Sequence, residues 1–335
     1  MRYRFAWIIL TTCLLITGCE DDTPTHVHYE KGDTWVTDFR PNSYPAQTFF
    51  KDKIYCSSIN TYSPNYFYCL DVPTGKTSWS FPVNQWAMFP PVITDSFIYY
   101  CSYIGDIYKL DLQGNNIWRR RLSGSYKGHV LVPDTNDLIV STVEDGLHVF
   151  DAKTGWVTSQ IGKNLLGIPL PVFSGDTIYT ASTKDTLQCK SYSSGKVYWQ
   201  QKVEGELEKI FIDHDRVYYL DGSPCLKALT HNGAPVWQSA ALFDKQKDWP
   251  RLTLEKGKLI TWDSDYKNMA LLDSITGKTV EQNSEEMFRS QGYLQGMKKI
   301  YEVNAEGKIY KVVVSNDLYS EDFRTSFRVQ IIPPK

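Results

Sequence analysis

Apolar positions fall along most of this chain in short runs of five to eight residues, each closed by a cluster of Asp, Ser, Gly or Asn. PPVITD, SFIYYCSY, GDIYKLDL and NNIWRRRL follow one another between Pro90 and Leu122. Runs of that length, rich in Val, Ile and Tyr and punctuated by Asp-Ser, Gly-Asp and Gly-Asn, predict four short antiparallel strands joined by tight turns. Beyond residue 18 no stretch carries the long 3.6-residue period of a helix. The four-strand unit then recurs. YCLDVPTGKTSW, YKLDLQGNNIW and HVFDAKTGWVTS share one pattern, an acidic residue, a Gly and usually a Trp four residues past the Gly. Its first position is Asp71, Asp111, Asp151, Ser191, Thr230 and Asp273; its glycine is Gly75, Gly114, Gly155, Gly195, Gly233 and Gly277. The tryptophan is Trp79, Trp118, Trp199 and Trp237, with Ser159 and Glu281 in its place in the third and sixth copies.

A spacing near 40 residues held over six copies signals a repeat architecture. Repeated units of four antiparallel strands predict an all-β fold, a single β-propeller whose blades bury their faces against one another. The local chemistry agrees with that reading. Gly supplies the positive φ of a tight turn between third and fourth strands. Asp or Thr at its head can accept hydrogen bonds from the turn's N–H groups. Trp offers a large flat surface to stack in the seam between blades. A weak seventh copy (KKIYEVNA, GKIYKVVVS, FRVQIIP) ends the chain, and YEKGDTWVTDF, with Trp35, reads as an isolated outer strand near its start. Seven blades, closed by that N-terminal strand, are expected; eight are the alternative. The expected layout is residues 1–18 as a signal peptide, 19–48 as tether and ring-closing strand, and 49–335 as propeller.

The motif resembles the tryptophan-docking repeat of pyrroloquinoline-quinone-like propellers, as CLDVPTGKTSW, KLDLQGNNIW and the degenerate LLDSITGKTVE show. That resemblance implies the fold strongly and the function weakly. One branch of the family is the quinoprotein dehydrogenases. The other is envelope lipoproteins, typified by the propeller subunit of the machinery that inserts β-barrels into the outer membrane. The second branch fits better. Quinoprotein dehydrogenases carry an adjacent Cys-Cys pair, and no two cysteines here are adjacent. No enzyme, cofactor or metal site is expected, and no catalytic residue is assigned.

The N-terminus sets the expected compartment. Arg2 and Arg4 precede an apolar run from Phe5 to Ile16, too short to span a bilayer comfortably and typical of a signal peptide. Leu15 to Cys19, LITGC, resembles a bacterial lipobox. This implies lipidation of Cys19 and a membrane anchor in the cell envelope, the outer membrane being the expected site. The acidic Glu20-Asp21-Asp22 that follows resembles a sorting signal, for surface export in some bacteria and inner-membrane retention in others. The formal charge is −2 with no basic block, so a nucleic-acid partner has no electrostatic footprint.

Five cysteines remain beyond Cys19. Cys56 and Cys69 flank a hairpin loop and are the candidate disulfide; a buried free thiol is the competing reading for each. His26 and His28 could form half a metal site, but a solvated tether explains them better. Asp213-His214-Asp215 falls where a turn between first and second strands belongs, and turn chemistry accounts for it. The expected partner-binding surface is the loop face shared by the inter-blade links and the second-to-third loops. Trp86, Phe89, Tyr126, Leu165, Leu166, Trp249, Tyr293, Tyr62 and Tyr66 gather there, the kind of aromatic cluster a protein-binding hot spot uses. The function so read is a lipid-anchored scaffold that binds a protein partner, with outer-membrane protein assembly as the leading pathway. The alternatives are a toxin-neutralising immunity-type protein, a quinone-dependent dehydrogenase or a small-molecule receptor.

Overall fold

The computed structural model describes residues 35–39, 47–57, 65–85, 87, 89–123, 126–132, 137–142, 146–161, 169–242, 251–255, 258–262, 269–283, 297–317 and 324–332. These residues form seven four-stranded antiparallel sheets and no helix. Blades 1 to 6 take their strands in chain order. Blade 1, for example, runs Thr48–Phe50, Lys53–Ser57, Asn65–Asp71 and Thr77–Val83. Blade 7 has Met297–Ala305, Lys308–Asp317 and Arg324–Ile332, and its fourth strand is Trp35–Phe39 from the start of the chain. Trp35 pairs with Val329 and Phe39 with Thr325 in that closing ladder. Among the described residues the propeller has seven blades, and the strand Trp35–Phe39 closes the ring.

Position within the blade explains the composition of each strand. Second and third strands are covered on both faces, so FIYYC and DIYKLD are buried almost throughout. Fourth strands lie at the rim, and in TSWSFPV or VYWQQK no more than every second residue is even half-buried. Successive side chains in a strand point to opposite faces, so each blade contributes to two cores. Ile54, Cys56 and Tyr68 of blade 1 pack with Val303, Tyr310 and Val312 of blade 7. Tyr55, Phe67 and Cys69, on the other face, pack with Ile98, Tyr100 and Tyr108 of blade 2. Further clusters join blades 2 and 3, blades 3, 4 and 5, and blades 5 and 6.

That alternation overturns the candidate disulfide. Tyr55 is the register partner of Cys69, and Cys56 that of Tyr68. Cys56 and Cys69 thus stand one position out of register, and the sheet sends them into different cores. All five described cysteines are free and buried. Burial pushes the Cys69 thiol up to about 11 and raises the Cys56 and Cys101 thiols as well.

Candidate functional site

Two constructions recur round the ring, the turn-and-tryptophan seam and the pinned loop face. The seam begins with a hairpin turn. Asp71 Oδ1 accepts hydrogen bonds from the N–H and the hydroxyl of Thr74, at 2.9 and 2.6 Å. Asp111 accepts from Gln113 N and Asn115 N, Asp151 from Lys153 N and Thr154 N, and Asp273 from Ile275 N and Thr276 N. Ser191 and Thr230 do the same with hydroxyls, toward Ser194 N and Ala234 N. The glycines of these turns all have φ between 69° and 84°.

Each tryptophan then crosses to the next blade. The indole N–H of Trp79 donates to Leu112 O at 2.9 Å, Trp118 to Ala152 O at 3.1 Å, Trp199 to His231 O at 2.7 Å and Trp237 to Ser274 O at 3.2 Å. In each case the accepting carbonyl directly follows the residue that heads the turn. The ring lies flat over the turn glycine, so closely that a Cβ on Gly114, Gly155, Gly233 or Gly277 would come within 2.4–2.7 Å of the indole. Gly195 is different: an added Cβ there meets nothing within 4 Å. Its neighbouring blade is the one that carries Ser159.

The residues beneath the indole were missed in the sequence, though the signal was there. Register rows run Tyr55–Cys69–Trp79, Tyr99–Lys109–Trp118, Tyr179–Cys189–Trp199 and Tyr218–Ala228–Trp237. The Tyr and Trp rings sit 5.8–6.3 Å apart, a favourable tilted pairing. Where the Trp is absent, the Tyr is absent too: the rows are Ile139–Val149–Ser159 and Ile260–Leu271–Glu281. Lys109 supports the seam between blades 2 and 3. Its ammonium donates to Ala152 O at 2.8 Å and lies 3.7 Å from the Phe97 ring centre, and burial lowers its pKa.

The second construction is the face where inter-blade links meet second-to-third turns. Asp106, fully buried in blade 2, accepts from Arg119 at 2.9 Å and from Asn84 of the preceding link at 3.1 Å. Tyr100 OH donates to Gln85 O in the same link. Between blades 4 and 5, Asp221 takes the Glu204 N–H at 3.0 Å and Lys227 at 2.8 Å, while Leu207 N donates to Lys184 O. Asp185 is held down to about 2 by its hydrogen bond from Lys202. Among the described residues, buried Asp106 and Asp221 thus tie two links to neighbouring turns.

Of the residues expected on that face, Trp86, Leu165, Leu166, Trp249, Tyr293 and Tyr62 lie outside the described residues, as do Cys19, His26, His28 and the acidic stretch after Cys19. Tyr66 is not a loop residue: it is second in the strand Asn65–Asp71, half-buried, with its ring 6.0 Å from Tyr68. Tyr126 likewise opens a strand, Tyr126–Leu131, instead of lying in the link. Phe89 does sit in a link, half-buried against the core of blades 2 and 3. Asp213-His214-Asp215 is the turn between the first two strands of blade 5. Asp213 Oδ1 accepts from Asp215 N and Arg216 N, and Asp213 Oδ2 from Tyr218 OH. His214 faces solvent beside Asp215, which raises its pKa. Among the described residues no group of three or more His, Cys, Asp or Glu side chains is placed to hold a metal.

Seven four-stranded blades, four of them docked onto the next by a tryptophan, define a pyrroloquinoline-quinone-like β-propeller. The family profile described as outer membrane protein assembly factor BamB matches residues 63–158 and 156–292, and the chain belongs to that family. Among solved structures it is similar to BamB from Moraxella catarrhalis, at 14% identity and TM-score 0.56, covering 85% of this chain and 81% of that one. It also resembles KlHsv2 with loop 6CD replaced by a Gly-Ser linker (12% identity, TM-score 0.54, 87% and 98% covered). The computationally designed Ika8 protein is similar as well (11%, 0.50, 88% and 98%). At those identities the likeness is one of fold. No curated protein matches the chain.

Proposed function

We propose that this chain is a lipid-anchored envelope scaffold that holds a polypeptide partner against its pinned loop face, in the service of outer-membrane protein assembly. The observation that carries the reading is the family match over residues 63–292. The geometry supports it. Buried Asp106 and Asp221 hold two links in place, and loops held in place lose less freedom on binding. Anchorage at Cys19 would confine that face near a membrane, where one acyl chain is marginal and several are firm. The scaffold needs no catalytic group.

Crosslinking of the natively expressed lipoprotein in intact envelopes, with mass spectrometry of what it captures, tests the reading. Capture of a barrel-assembly component is expected. Absence of any reproducible protein partner would refute it and turn attention to a ligand in the channel. Replacing Trp86 and Trp249 together by Ala should lose the partner and keep the fold. Cys19→Ser should move the chain from the membrane to the soluble fraction; continued acylation would disprove the lipobox.

A further inference from the structure

The seam between blades 3 and 4 keeps the receiving half of the tryptophan dock and lacks the tryptophan. The receiving turn is formed as in its sisters: Gly195 has φ 71°, and Ser191 heads the turn. The carbonyl of Tyr192 stands where Leu112, Ala152, His231 and Ser274 accept an indole N–H. Opposite it, the row Ile139–Val149–Ser159 ends in a hydroxymethyl group. The result is a cavity of about 440 Å³ lined by Val149, Ser159, Ile161, Lys190, Tyr192 and Gly195 among others. That volume is in the range of small ligand pockets. The blades are still joined there, because Tyr192 OH donates to Asp137 Oδ2 at 2.6 Å across the seam. The lining is mixed: Asp137, Thr158, Lys190 and Ser193 stand beside the apolar Val149 and Ile161.

The other blade without its tryptophan does not leave a socket. In blade 6 Glu281 holds the tryptophan position, and the next blade, blade 7, takes its fourth strand from the N-terminus. Blade 7 therefore has no hairpin turn between third and fourth strands to receive an indole. Among the described residues, only the seam between blades 3 and 4 combines an open turn glycine with a missing ring.

We infer that this seam is a receptor for a tryptophan side chain of a partner polypeptide, seated over Gly195 with its indole N–H on the Tyr192 carbonyl. The occupant is read from the molecule itself. Four sister seams, built on the same turn, each close on an indole in that position. The inference rests on the reading that the chain binds polypeptides, but it uses the rim of the ring instead of the loop face.

The test is equilibrium binding of a short peptide with a central fluorotryptophan to the full chain, followed by fluorine NMR. The resonance should broaden and shift with the natural chain and stay sharp with Ser159→Trp, whose own ring fills the seam and raises the melting temperature. No response from the natural chain, or an equal response from Ser159→Trp, overturns the inference. Should Ser159→Trp fail to fold, Ser193→Arg at the exposed mouth serves instead: it should abolish the response, and an undiminished response overturns the inference. A chain that captures its partner in envelopes yet leaves the probe unperturbed overturns the socket alone. A chain that binds the probe and captures nothing overturns the loop-face reading and supports the socket. Self-association of the chain that disappears with Trp156→Ala, an exposed tryptophan of blade 3, would reassign the occupant to a second copy and overturn the partner assignment.

Discussion

Replacing Gly155 and, separately, Gly195 by Ala isolates the energy of tryptophan docking from that of the turn. The two glycines occupy the same position in equivalent turns, with φ of 72° and 71°. An L residue in that region costs about 1–2 kcal/mol, partly offset by about 0.4–1 kcal/mol from the lost freedom of the unfolded chain. Gly195→Ala should therefore lose about 1 kcal/mol and no more, because its Cβ enters open space. Gly155→Ala carries the same backbone strain and adds a collision, its Cβ falling 2.7 Å from Trp118 Cδ2 and 3.0 Å from Cε2 and Cε3. The indole cannot easily yield. It is 7% exposed, bonded to Ala152 O and packed against Tyr99. Overpacking of that kind costs about 1–3 kcal/mol, so Gly155→Ala should lose about 2–4 kcal/mol. Urea denaturation followed by circular dichroism would measure both, compared through midpoints at a common slope. In the Trp118→Ala background the collision has no partner, and the added cost of Gly155→Ala should shrink to that of Gly195→Ala. Equal losses for the two glycine variants in the natural background would refute the docking argument.

Three further outcomes follow from the same structure. Trp118→Ala should cost about 3–5 kcal/mol, while Trp156→Ala, whose ring is 68% exposed beneath the Arg120 guanidinium, should change the denaturation midpoint little; a comparable loss at both would contradict the burial. His129 is buried, and burial pushes its pKa down to about 4 from the ordinary 6.5. The unfolded chain then binds the proton first as pH falls, so up to about 3 kcal/mol present above pH 6.5 drains away between pH 6.5 and 4. His129→Asn should flatten that stretch of the stability-versus-pH curve, and an unchanged slope would exclude His129 as its source. Cys56, Cys69 and Cys101, protonated and enclosed, should resist alkylation at neutral pH until denaturant is added; rapid native-state labelling of any of them would place it outside the core.

Much of this fold could be read from single positions. The spacing of Asp71, Asp111 and Asp151 gave the blade length, and Trp35 in an isolated strand gave ring closure, because both are local patterns that repeat. What escaped the reading were facts of register. Cys56 and Cys69 are adjacent on paper across a hairpin, but a one-residue offset sends them to opposite faces, and the turn length that sets the offset has no simple residue signature. Tyr66 and Tyr126 each follow a turn-like stretch, Ser63-Pro64-Asn65 and Ser123-Gly124-Ser125, and so read as loop residues; the ladders extend far enough to absorb both. The Tyr–Trp rows were visible as a covariation among copies, since Ile139 and Ile260 occur in the two units that lack the tryptophan. Recognising them needed the pairing that places the two rings in one row.

The same comparison among copies bears on where specificity can reside. A feature repeated in several blades cannot single out one partner, because it is presented several times at different orientations. The capped turns and docked indoles are of that kind, and their work is to hold the ring together. Departures from the repeat are single and oriented. Asp221 with Lys227 fixes one link, Asp106 with Arg119 another, and each link has its own sequence. Ser159 opens one seam while its neighbours stay closed. Stability and recognition are thereby separated by position. Changes at Trp79, Trp118, Trp199 or Trp237 should act on folding first and on binding only through it. Changes at Ser159 should act on binding while the fold is kept or strengthened. A Ser159→Trp chain that melts higher than the natural one and yet loses its partner would show both halves of that separation in a single variant; a destabilised one would mean that Tyr192 and Asp137 already fill the seam as its native closure.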